Sequence, residues 1–422
     1  MYQKTRLPNG IRVIKAANKN IETVTLLALF GVGSRDEKGK AEGIAHFLEH
    51  MLFKGTTKRP SGIEINKELD AVGASSNAFT GKEYTGFWIK AGKKDIGLAL
   101  DILSDIILHP LFSAKDIATE KGPVLEEIKM YEDAPMRNTP SVFEQLLFDG
   151  HSLAHDQLGP AENVKRFSHK DLVSFYEKHY RADNLVLAIS GNFDEKSIDK
   201  DIKKYFSALS GKRKPPKRTG FAPRQTKPEI LLKYKKTDQT NFSLGFRALP
   251  AGHKDEYALD ILNIILGGND SSRLFEAVRE RKGLAYYIYS YTCDYQDTGY
   301  ITIQSGVGND KCEEAIRLIL KELQQMKESG ITEEELKRAK SYIEGKMAIS
   351  LESSSSVADF IAIQEITTGK ILTPKEKFDK INAVTKQDIQ RLIRDIFSED
   401  KLNLALIGPF KNKKIFERLL NI

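Results

Sequence analysis

Asn184-Leu185-Val186-Leu187-Ala188-Ile189-Ser190-Gly191-Asn192-Phe193 and Lys401-Leu402-Asn403-Leu404-Ala405-Leu406-Ile407-Gly408-Pro409-Phe410 are two copies of one pattern. Each is an apolar, strand-forming run closed by a glycine and an aromatic residue. Gly191 and Gly408 stand 217 positions apart. The same offset of 217 relates Phe167-Ser168-His169-Lys170-Asp171-Leu172 to Val384-Thr385-Lys386-Gln387-Asp388-Ile389 just upstream. Further back, Thr85-Gly86-Phe87-Trp88-Ile89-Lys90-Ala91-Gly92 pairs with Gly299-Tyr300-Ile301-Thr302-Ile303-Gln304-Ser305-Gly306. A chain of 422 residues exceeds one ordinary core. Two similar domains in tandem is the economical reading. Strand runs broken by helix pairs point to an α+β class: two homologous α/β sandwich domains, each a mainly antiparallel sheet with helices packed on it.

The joint between the halves falls where the composition changes. Gly211-Lys212-Arg213-Lys214-Pro215-Pro216-Lys217-Arg218 cannot build a core, so 211–228 reads as a linker between domains 1–210 and 229–422. A nucleic-acid arm is the rival reading, but no aromatic residues interleave the charges for base stacking. In the first half, Pro8-Asn9-Gly10 turns a hairpin, 23–32 and 86–91 read as strands, and 42–53, 96–108 and 114–131 read as helices. Ser113 with Asp116 caps the last of these.

Composition excludes several classes. Hydrophobic residues make up 40% and charged residues 29%, as in soluble globular proteins. The net charge of +7 comes with Lys and Glu interspersed, which describes a solvated face and implies no nucleic acid. Cys293 and Cys312 are the only cysteines, too few for a disulfide scaffold and without a CxxC partner. No apolar run approaches a membrane span, and residues 1–14 carry neither an apolar signal core nor an amphipathic leader. The expectation is a cytoplasmic protein with no membrane partner.

The chemistry is concentrated in Gly43-Ile44-Ala45-His46-Phe47-Leu48-Glu49-His50-Met51-Leu52-Phe53. On a helix, His46 and His50 lie one turn apart on one face, and Glu49 projects to the same side. Neutral imidazoles suit Zn²⁺, and a carboxylate beside them suits water activation. The arrangement is HxxEH, the inverted form of the HExxH zinc motif. Phe47, Leu48, Met51, Leu52 and Phe53 make this helix apolar nearly all round and therefore buried. Buried His and Glu need partners. A catalytic zinc site also needs a third protein ligand. Glu120-Lys121-Gly122-Pro123-Val124-Leu125-Glu126-Glu127-Ile128 offers it, with Glu120 and Glu127 two turns apart on one face. Adjacent residues on a helix point about 100° apart, so Glu126 and Glu127 compete for the role. Pro123 removes a backbone bond in mid-helix and puts the geometry of Glu120 in question. His151 and His155 also stand four apart, but Gly150, Ser152 and Gly159-Pro160 put them in a loop; His109 and His179 read as structural.

These motifs, with Gly31-Val32-Gly33-Ser34-Arg35 and Leu108-His109-Pro110-Leu111-Phe112, resemble the pitrilysin and insulin-degrading metallopeptidase family, the inverzincins. The likeness runs over nearly the whole chain and is strongest to the short-subunit branch that contains mitochondrial processing peptidase. The resemblance implies a zinc endopeptidase with one zinc per chain, held by His46, His50 and Glu127. It implies that Glu49 is the catalytic base and that Glu120 supports the site from behind. In the second half Lys346 falls where Glu127 lies and no HxxEH precedes it, so that domain is expected to be free of metal. Active members carry an Arg and a Tyr seven residues apart there, which match Arg279 and Tyr286. Tyr286 is then expected to donate to the oxyanion and Arg279 to hold a substrate carbonyl. The rival reading makes Arg279 a surface ion pair and Tyr286 a packing residue. Asn77, Ala78 and Phe79 match the edge strand that takes the peptide as an added strand. Peptide substrates and a homodimer enclosing a chamber complete the implication. A structural protein that has kept only the fold is the alternative, and metal content separates the two.

Overall fold

The computed structural model describes residues 2–211 and 217–420; the basic core of the expected linker, 212–216, lies outside the described residues. Two compact units emerge. One contains Met1–Lys129, His155–Thr219 and Ala348–Ile371; the other contains Met130–Ala154, Gly220–Met347 and Leu372–Ile422.

The first unit is built on β1 (Gln3–Arg6), β2 (Arg12–Ala17), β3 (Thr23–Phe30), β4 (Ser75–Thr80), β5 (Thr85–Gly92) and β6 (Leu185–Gly191), in the order β1-β2-β6-β3-β5-β4. Among the described residues of this sheet only β2 and β6 pair in parallel. The second unit holds β7 (Glu229–Tyr234), β8 (Gln239–Ala248), β9 (Ala285–Asp294), β10 (Gly299–Gly308) and β11 (Leu402–Gly408), in the order β7-β11-β8-β10-β9. Again one pair, β7 with β11, is parallel. Taking β2 with β7, β6 with β11, β3 with β8, β5 with β10 and β4 with β9 superimposes the two orders. The repeated phrases are thus strands at equivalent sheet positions. The upstream repeat is a pair of helix starts. Ser168 and Asp171 exchange a capping box, with Asp171 N donating to Ser168 Oγ at 3.4 Å, and Thr385 and Asp388 do the same at 3.2 Å.

Every residue of β6 and of β11 is buried, because both faces of these strands are covered. Leu185, Leu187 and Ile189 enter the main core of the first unit, while Val186 and Ala188 face the other way, with Leu27 and Leu29. What covers that second face comes from the far half of the sequence: the helix Ser354–Thr368 brings Ala358, Ile361 and Ala362. The second unit borrows in return. Helix Pro135–Leu147 supplies Val142, Phe143 and Leu147 against Ala405 and Ile407 of β11. The units are therefore not the contiguous blocks 1–210 and 229–422 that the linker implied. An apolar outer sheet face must be covered, and each half covers the other's.

This exchange makes Ile361 part of the first unit's stability. Ile361→Ala should cost about 2–5 kcal/mol, as large-to-small core changes do. Backbone amide exchange should accelerate in β3 and β6 and stay unchanged in β8 and β10. Loosening of β8 and β10 instead would refute the assignment. Among the described residues no helix is long and apolar enough to cross a membrane. Arg218, the last basic residue of the 211–218 run, is engaged: its guanidinium meets Asp36 Oδ2 at 2.7 Å and the carbonyl of Glu83 at 2.6 Å.

Candidate metal centre

The helix Ile44–Leu52 is buried along most of its length, including Ile44, Ala45, Phe47, Leu48, Met51 and Leu52. Its first turn is capped from a distance. Buried Glu37 accepts from the amides of Gly43 and Ala45, both at 2.8 Å, satisfying donors the helix cannot. Gly43 has φ 91° and touches the loop at Leu158, whose carbonyl oxygen would stand 2.5 Å from any Cβ there. Only glycine fits this entry.

On that fixed helix, His46 Nε2 and His50 Nε2 approach to 3.2 Å. Glu127, from the helix Ala114–Asp133, places Oε2 at 3.5 Å from each of them. Zinc bonds of about 2.0–2.1 Å at tetrahedral angles set ligand atoms about 3.3–3.4 Å apart. The three donors form a triangle of that size. Two imidazole nitrogens this close share either a proton or a metal ion, since two bare lone pairs repel. Burial and the neighbouring His50 charge push His46 down to about 4, so it stays neutral. Burial opposes the charge on His50 as well, but its hydrogen bonds to Glu120 and Glu127 outweigh this and hold it up at about 9. His50 Nδ1 lies 2.8 Å from Glu120 Oε1. Donation there keeps one proton on Nδ1, so that a metal would take the place of the second proton on Nε2, the usual carboxylate–histidine support. The residues present thus fit a zinc ion.

The helix runs on across Pro123, and Glu120 still reaches His50 while only 4% exposed. Glu126 points away: its side chain is 71% exposed and pairs with Lys129. Glu49 lines the same cavity as His50 and Glu120 and accepts from Thr80 Oγ1 at 2.5 Å. Burial raises the Glu49 carboxyl above its usual range, against the pull of that hydrogen bond. Thr80 ends β4, the edge strand of its sheet. Asn77 and Ala78 of β4 share a cavity of about 620 Å³ with Glu49, His50 and Glu120. Phe79 turns to the other face and packs on Tyr84 with ring centroids 6.2 Å apart.

Arg279 and Tyr286 belong to the second unit. Arg279 sits in a π-helical turn, Phe275–Glu280, with its guanidinium 4.8 Å over the Phe275 ring. Among the described residues no carboxylate is paired with it. Tyr286, the second residue of β9, is 78% exposed. His151 and His155 fall in different units, and His179 stacks on Phe175 in the core. Three residues at the site had gone unnoticed in the sequence: Glu37, Lys54 and Thr80. Only Lys54 left a signal there, as it lies one turn beyond His50.

The family model described as Insulinase (Peptidase family M16) matches residues 12–160, and the one described as Peptidase M16 inactive domain matches 166–343. The second description suits a half without HxxEH. An uncharacterized zinc protease of Bacillus subtilis, YmxG, is 37% identical over 412 residues, covering 98% of this chain and 99% of its own length. A zinc protease of Streptomyces coelicolor is 33% identical over 418 residues, covering 98% and 90%. A protease from Helicobacter pylori matches in fold with a TM-score of 0.92 at 24% identity, over 97% of this chain and 100% of that one. With its His–His–Glu triangle and relatives named zinc proteases along 98% of its length, the chain belongs to the peptidase M16 family.

Proposed function

We propose that this chain is a zinc-dependent endopeptidase acting on peptides or unfolded polypeptides. The observation that carries the reading is the triangle of His46, His50 and Glu127 donors with Glu49 beside it. His46, His50 and Glu127 would hold a zinc ion there, and it would supply Lewis acidity and activation of water. Glu49 takes the water proton and returns it to the leaving amine; its raised carboxyl suits a base working near neutral pH. Thr80 occupies one Glu49 oxygen and so orients the other. The open edge of β4 receives the substrate as an added strand, with Asn77 and Ala78 at the cavity and Phe79 bracing the strand from its far face. Arg279 holds a substrate carbonyl and Tyr286 donates to the oxyanion. Two copies of the chain pair and enclose the chamber in which the polypeptide is cut.

Metal analysis tests the reading first. The purified protein should carry about one zinc per chain, and products from a mixed peptide library should vanish with chelator. Glu127→Gln should weaken zinc retention by more than the roughly 10–100-fold that losing an outer partner costs. If Glu126→Gln loses zinc and Glu127→Gln keeps it, the ligand assignment is wrong. A protein that binds no resupplied zinc is the non-catalytic alternative.

A further inference from the structure

Lys54 lies just past the end of the His46 helix, four residues after His50. Its Nζ stands 2.5 Å from Glu120 Oε2. The other oxygen of the same carboxylate meets His50 Nδ1 at 2.8 Å. Glu120 is thus gripped at both ends, and its side chain has no other hydrogen-bond partner among the described residues. A buried carboxylate held by one partner alone can swivel about its last torsion and leaves an oxygen unsatisfied. With Lys54 on Oε2, only Oε1 is left to face the histidine.

Charge alone would act the other way on a dication, which an ammonium repels, so a loss of zinc on removing Lys54 reports the clamp. Glu49, Glu120 and Glu127 surround two imidazoles, so a divalent ion leaves the cluster with one excess negative charge. Lys54 lines the same cavity as Glu49, His50 and Glu120, and its ammonium cancels that excess. We infer that Lys54 is a positioning residue of the metal centre: by clamping Glu120 it holds the His50 ring with Nε2 turned toward His46 and Glu127. This rests on the reading of those three residues as zinc ligands. The side chain is 38% exposed, so its pair with Glu120 adds little to global stability.

The test is a zinc dissociation constant, measured by chelator competition on the full chain, together with kcat and KM on a library peptide. Lys54→Met should weaken zinc about 10-fold, the low end of what outer partners contribute. It should lower kcat with little change in KM and leave the thermal midpoint of the chelated protein near wild type. Lys54→Arg, which keeps the cation, should recover most of the zinc affinity. Lys54→Gln repeats the charge loss should the Met variant prove insoluble. Wild-type zinc affinity in both neutral variants, with Glu120→Gln weakened, overturns the inference. So does a lowered midpoint with unchanged affinity, which makes the pair merely structural. Unchanged affinity in Glu120→Gln as well removes the clamp itself. A wild-type protein that binds no zinc is a different failure, one of the proposed function beneath it.

Discussion

Glu49→Gln is expected to keep the zinc and lower kcat by about 10²–10⁴-fold, the range of a positioned general base. The amide preserves the shape of the side chain and can still accept from Thr80 Oγ1, now 2.5 Å from Glu49 Oε2. What it removes is the capacity to take a proton. Glu49 stands outside the triangle of His46, His50 and Glu127, so metal content should not change. The measurements are zinc per chain and kcat on one peptide. Loss of zinc together with turnover would make Glu49 a ligand and break the division between holding the ion and moving the proton. Full turnover with zinc in place would end the assignment of the base.

Tyr286→Phe is the second large effect. If its hydroxyl reaches the oxyanion, kcat should fall by roughly 10²–10³, as for other oxyanion donors, with zinc content unchanged. At 78% exposed, Tyr286 packs against little, so removing one oxygen should cost almost no stability. A packing residue predicts the reverse pattern: normal turnover and a lower melting point. Arg279→Ala separates the two roles, since loss of a grip on the substrate backbone should appear in KM. A Tyr286→Phe enzyme with wild-type kcat would take the second unit out of the chemistry.

Much of the centre was legible because its parts are local. His46, Glu49 and His50 lie within five residues, and helix geometry alone brings them to one side. The strand repeat was legible because β6 and β11 are covered on both faces and must be apolar throughout. Glu126 and Glu127 were harder, since either satisfies the spacing. The helix's rotation against its neighbour turns Glu126 to solvent and Glu127 to the histidines.

By itself the sequence determined the α+β class, the two-fold internal repeat, the metal helix and the carboxylates that could join it, because each is a matter of period and spacing along one segment. Only the tertiary structure decided that Thr80 holds Glu49, that Lys54 and His50 share Glu120, and that Glu37 caps the metal helix. It also decided that Pro135–Leu147 and Ser354–Thr368 each cover the other half's sheet. In Ser354–Thr368, buried Ala358, Ile361, Ala362 and Glu365 recur at helical spacing, but Val357, Phe360, Ile363 and Ile366 are apolar as well, so the sequence alone marks no single face. That period carries no address. Which sheet it meets is set by shape and by distant partners, such as Lys4, whose Nζ lies 2.6 Å from Glu365.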